Sequence, residues 1–175
     1  MKPITLLLLL LFLSACNDPE ANKEQLMQAS ISGDSKSVSH LLENQVNPNC
    51  RDKCDWTPLM QATLYNHPEI VKKLLTNQAQ TELFDQAGYT PLLIAATHNR
   101  LEIIQLLLEH GININHQEKD GGQSALIIAA KAGHEQSCKL LLKFKADPLL
   151  VDKQGLSALQ WAQRNNHDAI IKLLK

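Results

Sequence analysis

The sequence lacks an excess of charge of either sign. Its 17 Lys and Arg residues are balanced by 18 Asp and Glu residues, for a formal net charge of −1. Proteins whose main partner is nucleic acid present clustered Lys and Arg to the phosphates, and this chain has no such surplus. We therefore exclude nucleic acid as the principal partner. With 175 residues, 44% of them hydrophobic, the chain suits one globular domain with a sizeable core.

Groupings that carry catalysis are also missing. The sequence contains no Gly-rich phosphate loop, no Gly-x-Ser-x-Gly elbow and no His-Glu-x-x-His motif. Among the seven histidines, His110 and His116 flank a loop without a convincing metal spacing. His67, His134 and His167 each follow a predicted turn, where a structural role is expected. We therefore expect no enzymatic activity, no cofactor and no metal ion.

The longest apolar run is too short to cross a membrane. It covers residues 4–13, about ten residues, whereas a spanning helix needs about 20. With Lys2 before it, the run has the length of a signal-peptide hydrophobic region. It is followed by Ser14, Ala15 and Cys16, and Leu13-Ser14-Ala15-Cys16 resembles the bacterial lipobox, whose cysteine is acylated and becomes the mature N-terminus. The alternative is an ordinary secretory signal with an incidental cysteine.

The lipobox resemblance implies both an order of segments along the chain and a cellular location. Residues 1–15 would form the signal peptide, Cys16 would carry a diacylglyceryl group, and residues 16–22 would form a lipidated polar tether. An extended tether of this length reaches about 20 Å, which keeps the folded domain near the membrane. Asn17 is not the Asp that favours inner-membrane retention in enterobacterial lipoproteins, although Asp18 follows. The periplasmic face of the outer membrane is therefore favoured over the inner membrane.

A pattern that returns about every 33 residues organises the rest of the chain. It joins a tight turn, a Thr-Pro or Ser-Ala helix start and a small-residue helix face. Equivalent leucines are Leu26, Leu59, Leu92, Leu126 and Leu159. At a later position of each unit only Gly or Asn occurs: Gly33, Asn66, Asn99, Gly133 and Asn166. These residue types tolerate a left-handed backbone, so we expect the first helix to end there and the chain to reverse.

Second helices and turns follow the same period. Apolar residues spaced three and four positions apart predict helices rather than strands. Their anchors are Val38, Val71, Ile104, Cys138 and Ile171. Tight turns are expected at residues 52–55, 85–88, 119–122 and 152–155, because Asp and Gly dominate their ends. The fourth unit carries one extra residue near Gly121-Gly122.

These residues resemble the ankyrin repeat, most clearly in Asp85-x-x-Gly88-x-Thr90-Pro91-Leu92 followed by Ala95-Ala96. The resemblance implies an all-α solenoid of about five stacked helix-turn-helix repeats with hairpin loops. We place the ankyrin-repeat domain at 23–175, with repeats at about 23–50, 51–83, 84–117, 118–150 and 151–175. The family often has His after Thr-Pro-Leu. Here that position holds Met60, Leu93, Ile127 and Gln160, so we expect the cross-repeat bonds of such a histidine to be missing.

The resemblance also implies where a partner binds, because hairpin tips and first helices line a concave groove in ankyrin folds. The partner-binding candidates are Arg51, Lys53, Trp56, Leu64, Phe84, Gln86, Tyr89, Lys131, Lys153 and Arg164. Further candidates on the same hairpin tips and first helices are Met60, Thr97, Gln123, Gln154 and Leu156. Exposed Trp, Tyr and Arg dominate interface energetics. The alternative is that the rings shield neighbouring hairpins or, for Phe84, pack inward. Trp161 falls on a position that usually packs in the core.

Cys50 and Cys54 lie on either side of a predicted turn, four residues apart. In an oxidising periplasm they could form a disulfide across the hairpin, and two free thiols are the alternative. Cys138 takes the place of a core Val or Ile, so we expect it to be a small buried hydrophobe.

The repeats, the lipobox and the lack of catalytic groupings together predict a membrane-tethered protein-interaction module in the periplasm. Its membrane contact would be the lipid on Cys16. Similarity to ankyrin lipoproteins that neutralise antibacterial lipase effectors of type VI secretion points to an immunity protein whose partner is a phospholipase effector. An accessory scaffold in periplasmic stress defence or envelope assembly is the alternative.

Overall fold

The computed structural model describes residues 19–175, and in this part of the chain it contains ten helices. Their bounds are α1 Pro19–Ser32, α2 Ser35–Glu43, α3 Pro58–Leu64, α4 Pro68–Thr76, α5 Pro91–Thr97, α6 Leu101–Glu109, α7 Ala125–Ala132, α8 Glu135–Lys143, α9 Ala158–Arg164 and α10 Asp168–Leu173. None of these helices is both long and apolar enough to span a bilayer. The predicted signal peptide and the lipidation site at Cys16 lie outside the described residues.

The first helix of each of repeats two to five starts at a capping hydroxyl. Thr57 and Thr90 each accept a hydrogen bond from the backbone N–H three residues later, and proline fills the first helical position after each. Ser124 and Ser157 accept the same bond without a proline, and Ser157 forms a capping box with Gln160. A hydroxyl cap satisfies one of the N–H groups that a helix start leaves unpaired. The predicted helix starts are confirmed.

The predicted reversal points have a left-handed backbone. The φ angles are 80° at Gly33, 61° at Asn66, 54° at Asn99, 79° at Gly133 and 59° at Asn166. Because Gly and Asn are the residues that accept this conformation most readily, the first helix ends there and the second begins two residues later. Each repeat is therefore a pair of helices joined by a short reversal.

One continuous hydrophobic cluster runs through the stacked helix pairs. The equivalent leucines Leu26, Leu59, Leu92 and Leu126 are at most 1% exposed, and Leu159 is half-buried. The second-helix anchors Val38, Val71, Ile104 and Cys138 are fully buried, whereas Ile171 is half-buried. A single helix pair cannot bury these faces alone, so the core forms by stacking one repeat on the next. The fold is the all-helical stack of about five repeats that the period predicts.

In repeats two to five, cross-repeat hydrogen bonds come from the residue that follows the reversal. Nε2 of His67 donates to the carbonyl oxygen of Ile31 in the preceding repeat, at 2.9 Å. His134 and His167 make the equivalent contact at 3.2 Å, and Arg100 makes it at 3.1 Å. We expected no cross-repeat bond from the position after Thr-Pro-Leu. The residue after the reversal supplies a cross-repeat bond instead. The reversal aims this side chain back at the end of the previous first helix.

Helix α1 begins at Pro19, inside the segment predicted as a tether. Residues 19–22 are therefore helical rather than extended. Proline at a first helical position costs no backbone hydrogen bond, and Glu20 in the first turn is favourable next to the positive end of the helix dipole. Glu20 also accepts a hydrogen bond from Lys23 one turn later. The reach of about 20 Å, which assumed an extended tether, does not apply.

The turn of the fourth repeat begins one residue earlier than predicted, at Glu118 instead of Lys119. The N–H of Gly122 donates to the carbonyl oxygen of Glu118 at 3.2 Å, which closes a turn one residue longer than the others. Glu118 occupies the place that Asp holds in the other turns. Its longer side chain spans the longer loop and accepts the N–H groups of Asp120, Gly121 and Gln123 at 2.6 to 3.0 Å.

Candidate protein-binding surface

Consecutive turns are hydrogen-bonded to each other across the repeats. The N–H of Lys119 donates to the carbonyl oxygen of Ala87 at 3.0 Å, and the N–H of Lys153 donates to that of Gly121 at 2.8 Å. These bonds fix the turns in register. We define the tip surface as the turns with their flanking residues and the exposed side of the helices that follow: residues 51–56, 84–89, 117–123 and 151–156 with helices α3, α5, α7 and α9.

A carboxylate inside each turn organises the local backbone. Oδ1 of Asp52 accepts two N–H groups of its own turn, at 2.8 and 2.9 Å. Asp85, Glu118 and Asp152 accept backbone N–H groups in the same way and are at most 8% exposed. These four carboxylates are structural acceptors, and the three buried ones contribute little exposed negative charge to the tip surface.

Trp56 and Tyr89 lie at equivalent positions directly after two successive turns, and both are half-buried. Their backbone N–H groups are held by the turn carboxylates Asp52 and Asp85, at 2.9 and 2.8 Å. Burial raises the pKa of Tyr89, and the charge of Glu118 raises it further, so the phenol stays protonated at neutral pH. The structure thus places two of the predicted aromatic candidates at equivalent positions of neighbouring repeats, each on backbone held by a turn carboxylate.

Phe84 is 38% exposed and does not pack into the core. Its ring stacks on the ring of His116 with a centroid separation of 6.0 Å, and Nζ of Lys119 lies 4.7 Å from its centroid. The ring therefore shields the next hairpin, as the alternative interpretation proposed, while one part of it stays accessible. His116 is held in turn by Nε2, which donates to the carbonyl oxygen of Gly88 at 2.9 Å.

Arg51 and Gln86 are partly occupied by contacts within the chain. The guanidinium of Arg51 lies 3.5 Å from the carboxylate of Asp55 and donates to the carbonyl oxygen of Phe84 at 3.4 Å. The side chain of Gln86 donates to the carbonyl oxygen of Lys53 at 2.9 Å. Lys53 is exposed at its tip. Arg51 and Gln86 therefore link repeats two and three. Of the three side chains, Lys53 is the most accessible to a partner.

Lys131, Trp161 and Arg164 form a cluster that sequence reasoning missed. Nζ of Lys131 lies 4.3 Å and Cζ of Arg164 lies 5.4 Å from the centroid of the Trp161 ring, which is 7% exposed. The indole N–H donates to Oδ2 of Asp152 at 2.7 Å. Trp161 packs in the core as predicted, but it also holds two cations of the tip surface. The sequence shows that Lys131 and Arg164 occupy equivalent positions of neighbouring repeats, but not that both side chains turn towards Trp161.

Burial acts to raise the pKa of Asp152, but hydrogen-bond donors outweigh it and hold the pKa below its ordinary value. The strongest of these donors is the N–H of Leu156, followed by the indole of Trp161. The carboxylate is thus ionised at neutral pH and fully engaged.

The two aliphatic candidates on helix α3, Leu64 and Met60, differ in how far they are buried. Leu64, the last residue of the helix, is half-buried, and its carbonyl oxygen accepts from Arg100. Met60 is fully buried, so its assignment to the partner surface is wrong, because the third helical position faces the core. The remaining positions are exposed at Thr97, Gln154 and Lys153 and half-buried at Gln123 and Leu156.

Cys50 is half-buried, Cys54 is exposed, and both are free thiols in the structure. A disulfide between them under oxidising conditions stays a prediction. Burial raises the pKa of Cys50 to about 11 and that of the buried Cys138 to about 12. Within residues 19–175, no group of three or more His, Cys, Asp or Glu side chains is arranged to hold a metal ion.

Comparison with known proteins identifies the repeat units. The family profile described as ankyrin repeats (3 copies) matches residues 26–118 and 113–175. Ankyrin repeat domain-containing protein 63 of Homo sapiens is 33% identical over 66 residues, which is 38% of this chain and 17% of that protein. Protein HOS4 of Saccharomyces cerevisiae is 40% identical over 55 residues, covering 31% and 5%. The serine/threonine-protein kinase TNNI3K of Mus musculus is 36% identical over 76 residues, covering 38% and 9%. The chain spans less than a fifth of each relative, so the likeness concerns the repeats alone.

Proposed function

Because this chain belongs to the ankyrin-repeat family, whose repeats act as protein–protein interaction modules, we propose that it binds a protein partner on its tip surface. One observation carries the proposal. Trp56 and Tyr89 occupy equivalent positions of neighbouring repeats and are half-buried. Their backbone N–H groups are held by the carboxylates of the preceding turns. Large rings on fixed backbone bind with little loss of conformational freedom.

The residues that differ between repeats give the surface its specificity. The capping hydroxyls and the reversal residues recur in each unit and build the scaffold. Trp56 and Phe84 do not recur, and both are at least partly exposed. Aromatic anchors surrounded by polar side chains are typical of the energetic centre of an interface. We propose no catalytic role for this surface.

We further propose that a lipid on Cys16 holds the protein in the bacterial periplasm, on the inner face of the outer membrane. Only Asn17 and Asp18 separate Cys16 from the start of helix α1 in the sequence. Such an anchor would hold the repeat stack close to the membrane surface. Its test is metabolic labelling with radioactive palmitate. The native chain should take up label and sediment with outer membranes, and Cys16→Ser should do neither.

The most specific role that we propose is immunity, in which the tip surface blocks a type VI phospholipase effector at the membrane that this effector attacks. The short separation between Cys16 and helix α1 in the sequence supports this role, because a lipid on Cys16 would keep the stack near that membrane. The alternative is an accessory scaffold for stress defence or envelope assembly.

The experiment is affinity capture with the repeat domain from envelope extracts, followed by a phospholipase assay of the captured protein. Stoichiometric capture of a phospholipase and loss of its activity on binding are expected. Capture of a non-enzymatic envelope protein would favour the scaffold role and contradict immunity. Repeated capture without any specific protein would contradict the interaction module itself.

A further inference from the structure

We infer that the tip surface of repeats four and five recognises an acidic segment of the partner, one that bears several carboxylates. The inference rests on the proposed function and names the chemistry of the partner at one end of that surface. Four cations carry it: Lys119 and Lys153 at two neighbouring turn tips, and Lys131 and Arg164 on helices α7 and α9. We call this group the cationic cluster.

The cationic cluster has no ion-pair partner in the part of the chain that the structure describes. The salt bridges found there join Lys23 to Glu20, Arg51 to Asp55 and Lys139 to Glu135. Residues 117–123 and 151–156 with helices α7 and α9 contain three acids. Of these only Asp120 is exposed, so this end of the tip surface presents four cations against one accessible carboxylate.

The other two acids, Glu118 and Asp152, are already engaged. Glu118 is 4% exposed and accepts three backbone N–H groups of its own turn. Asp152 is 5% exposed and accepts two backbone N–H groups and the indole N–H of Trp161. A carboxylate with its lone pairs committed to the backbone cannot move out to pair with a surface cation.

The four cations are held in position before any partner arrives. Lys131 and Arg164 lie against the buried ring of Trp161, with 4.3 and 5.4 Å to its centroid. Nζ of Lys119 lies 4.7 Å from the centroid of Phe84, and Nζ of Lys153 donates to the carbonyl oxygen of Lys119 at 2.5 Å. Side chains that are already ordered lose less conformational entropy on binding, so each contact to a carboxylate yields more affinity.

The helix dipole does not explain why cations stand at these positions. Lys131 and Arg164 lie in the last turns of α7 and α9, where positive charge is favourable. The equivalent positions of the preceding repeats hold Leu64 and Thr97, each the last residue of its helix. The four helices have seven or eight residues and therefore similar dipoles, whereas the charge appears in the last two only.

Carboxylates fit this cluster best. The guanidinium of Arg164 can take a carboxylate through two parallel hydrogen bonds, and ammonium groups add charge-assisted bonds around it. Nucleic acid is disfavoured by the near-neutral charge of the whole chain, which gives no long-range attraction to a phosphate backbone. An acidic protein segment can bind the four cations at short range, so it does not require the whole chain to be basic.

The test uses two fluorescently labelled peptides and measures anisotropy. One peptide alternates Glu and Asp with Gly and Ser, and the other carries Gln and Asn in place of the acids. The native protein should bind the acidic peptide and not the neutral one. Raising the salt from about 0.05 M to about 0.5 M should abolish the binding, because salt screens exposed charges. The double variant Lys131→Gln with Arg164→Gln should raise the Kd about tenfold, as should Lys119→Gln with Lys153→Gln.

The matched control removes the same charge elsewhere, by Lys143→Gln with Lys172→Gln on the second helices, and should change the Kd by about twofold at most. Equal losses in the control and in the cluster variants would overturn the inference, because bulk charge alone would then explain binding. Equal affinity for the neutral peptide would also overturn it. The exposed lysine pair keeps the test valid if the Trp161 site misfolds. Equal, cluster-dependent binding of an oligonucleotide would overturn the assignment to carboxylates.

The same variants separate this inference from the proposed function. A captured partner that is lost with Trp56→Ala and Tyr89→Ala but keeps its affinity for the cluster variants would leave the proposed function standing and refute the acidic segment. Selective binding of the acidic peptide without any captured protein would refute the proposed function instead.

Discussion

The indole N–H of Trp161 donates to Oδ2 of Asp152 at 2.7 Å, which ties the turn of the fifth repeat to the helix that follows it. Asp152 also accepts the N–H groups of Gln154 and Leu156, so one buried carboxylate holds both the turn and the ring. This ring in turn carries two cations of the tip surface. The relationship therefore connects the stability of the last repeat to the shape of the proposed binding surface.

Replacing this carboxylate should destabilise the protein. Asp152→Asn sets an amide N–H₂ against either the indole N–H or the backbone N–H groups, and we expect a loss of about 1.5–3 kcal/mol in the free energy of unfolding. The matched control is Asp55→Asn in another turn, because Asp55 is half-exposed and pairs only with Arg51 at 3.5 Å. A surface ion pair contributes about 0–1 kcal/mol. Urea denaturation measures both, and equal losses would contradict the structural role of Asp152.

The pH dependence of stability should change with Asp152. Its pKa is lowered in the folded state, so the folded protein favours the ionised carboxylate. The resulting stabilisation is present above the pKa of an unfolded Asp, about 3.9, and is lost as the pH falls through the folded pKa. The free energy of unfolding of the native protein should therefore fall on acidification below about pH 4, and less steeply in Asp152→Asn. Parallel pH profiles for the two proteins would contradict this assignment.

Leu107 tests the register of the second helices. It is fully buried on helix α6, so Leu107→Ala should cost about 2–5 kcal/mol, as loss of a core leucine does. Leu101 begins the same helix and is 37% exposed, and Leu101→Ala serves as the control with a much smaller cost. Thermal unfolding of the two variants gives the comparison. Identical melting curves would show that the helix face is misassigned.

Two glycines with the same backbone conformation allow the free-energy cost of a positive φ to be measured separately from the cost of a steric clash at Cβ. Gly111 and Gly133 have φ of 78° and 79°. A Cβ on Gly111 would meet no atom within 4 Å, whereas one on Gly133 would lie 2.8 Å from Cε1 of His167. Gly111→Ala should cost about 1 kcal/mol for the left-handed backbone. Gly133→Ala should cost about 1 kcal/mol more, because His167 must move and its cross-repeat bond is lost. Chemical denaturation of both variants decides the point.

The three described thiols should differ in reactivity. Burial raises the pKa of Cys50 to about 11 and that of Cys138 to about 12, so few thiolates form at these sites near neutral pH. Exposed Cys54 should be alkylated first by iodoacetamide in the folded protein, as mapped by peptide mass spectrometry. Faster labelling of Cys50 than of Cys54 would contradict the burial. The same digest, with and without reductant, shows whether a Cys50–Cys54 disulfide forms under oxidising conditions.

Much of the fold could be predicted because its physical requirements act within one repeat. A left-handed reversal admits few residue types, so Gly33 and Asn99 mark helix ends without any alignment. A capping hydroxyl marks the first-helix start in repeats two to five, and it does so at Ser124 even where the proline is lost. These signals depend on neighbouring backbone only, and the period of about 33 residues repeats them.

Contacts between repeats could not be predicted, because they depend on side-chain direction across about 33 residues of sequence. The bond from His67 to Ile31 and the placement of Lys131 over Trp161 are examples. Burial of Met60 shows the same limit, since one helical position separates a core side chain from a surface one. The extra residue near Gly121 also shifted the turn start to Glu118, where Asp was the expected residue type.

The most direct test of the account is the affinity of the captured partner for the double variant Trp56→Ala with Tyr89→Ala. Both side chains are half-buried and Tyr89 also packs against the core, so circular dichroism first checks that the variant is folded; the variant then lacks the centre of the proposed interface. The control variant is Leu101→Ala with Leu149→Ala, which removes exposed apolar side chains outside the tip surface. Isothermal titration should show a Kd at least about a hundredfold weaker for the aromatic variant, since two hot-spot rings account for about 3 kcal/mol or more, and an unchanged Kd for the control. An unchanged Kd for Trp56→Ala with Tyr89→Ala would contradict the assignment of the tip surface as the binding site.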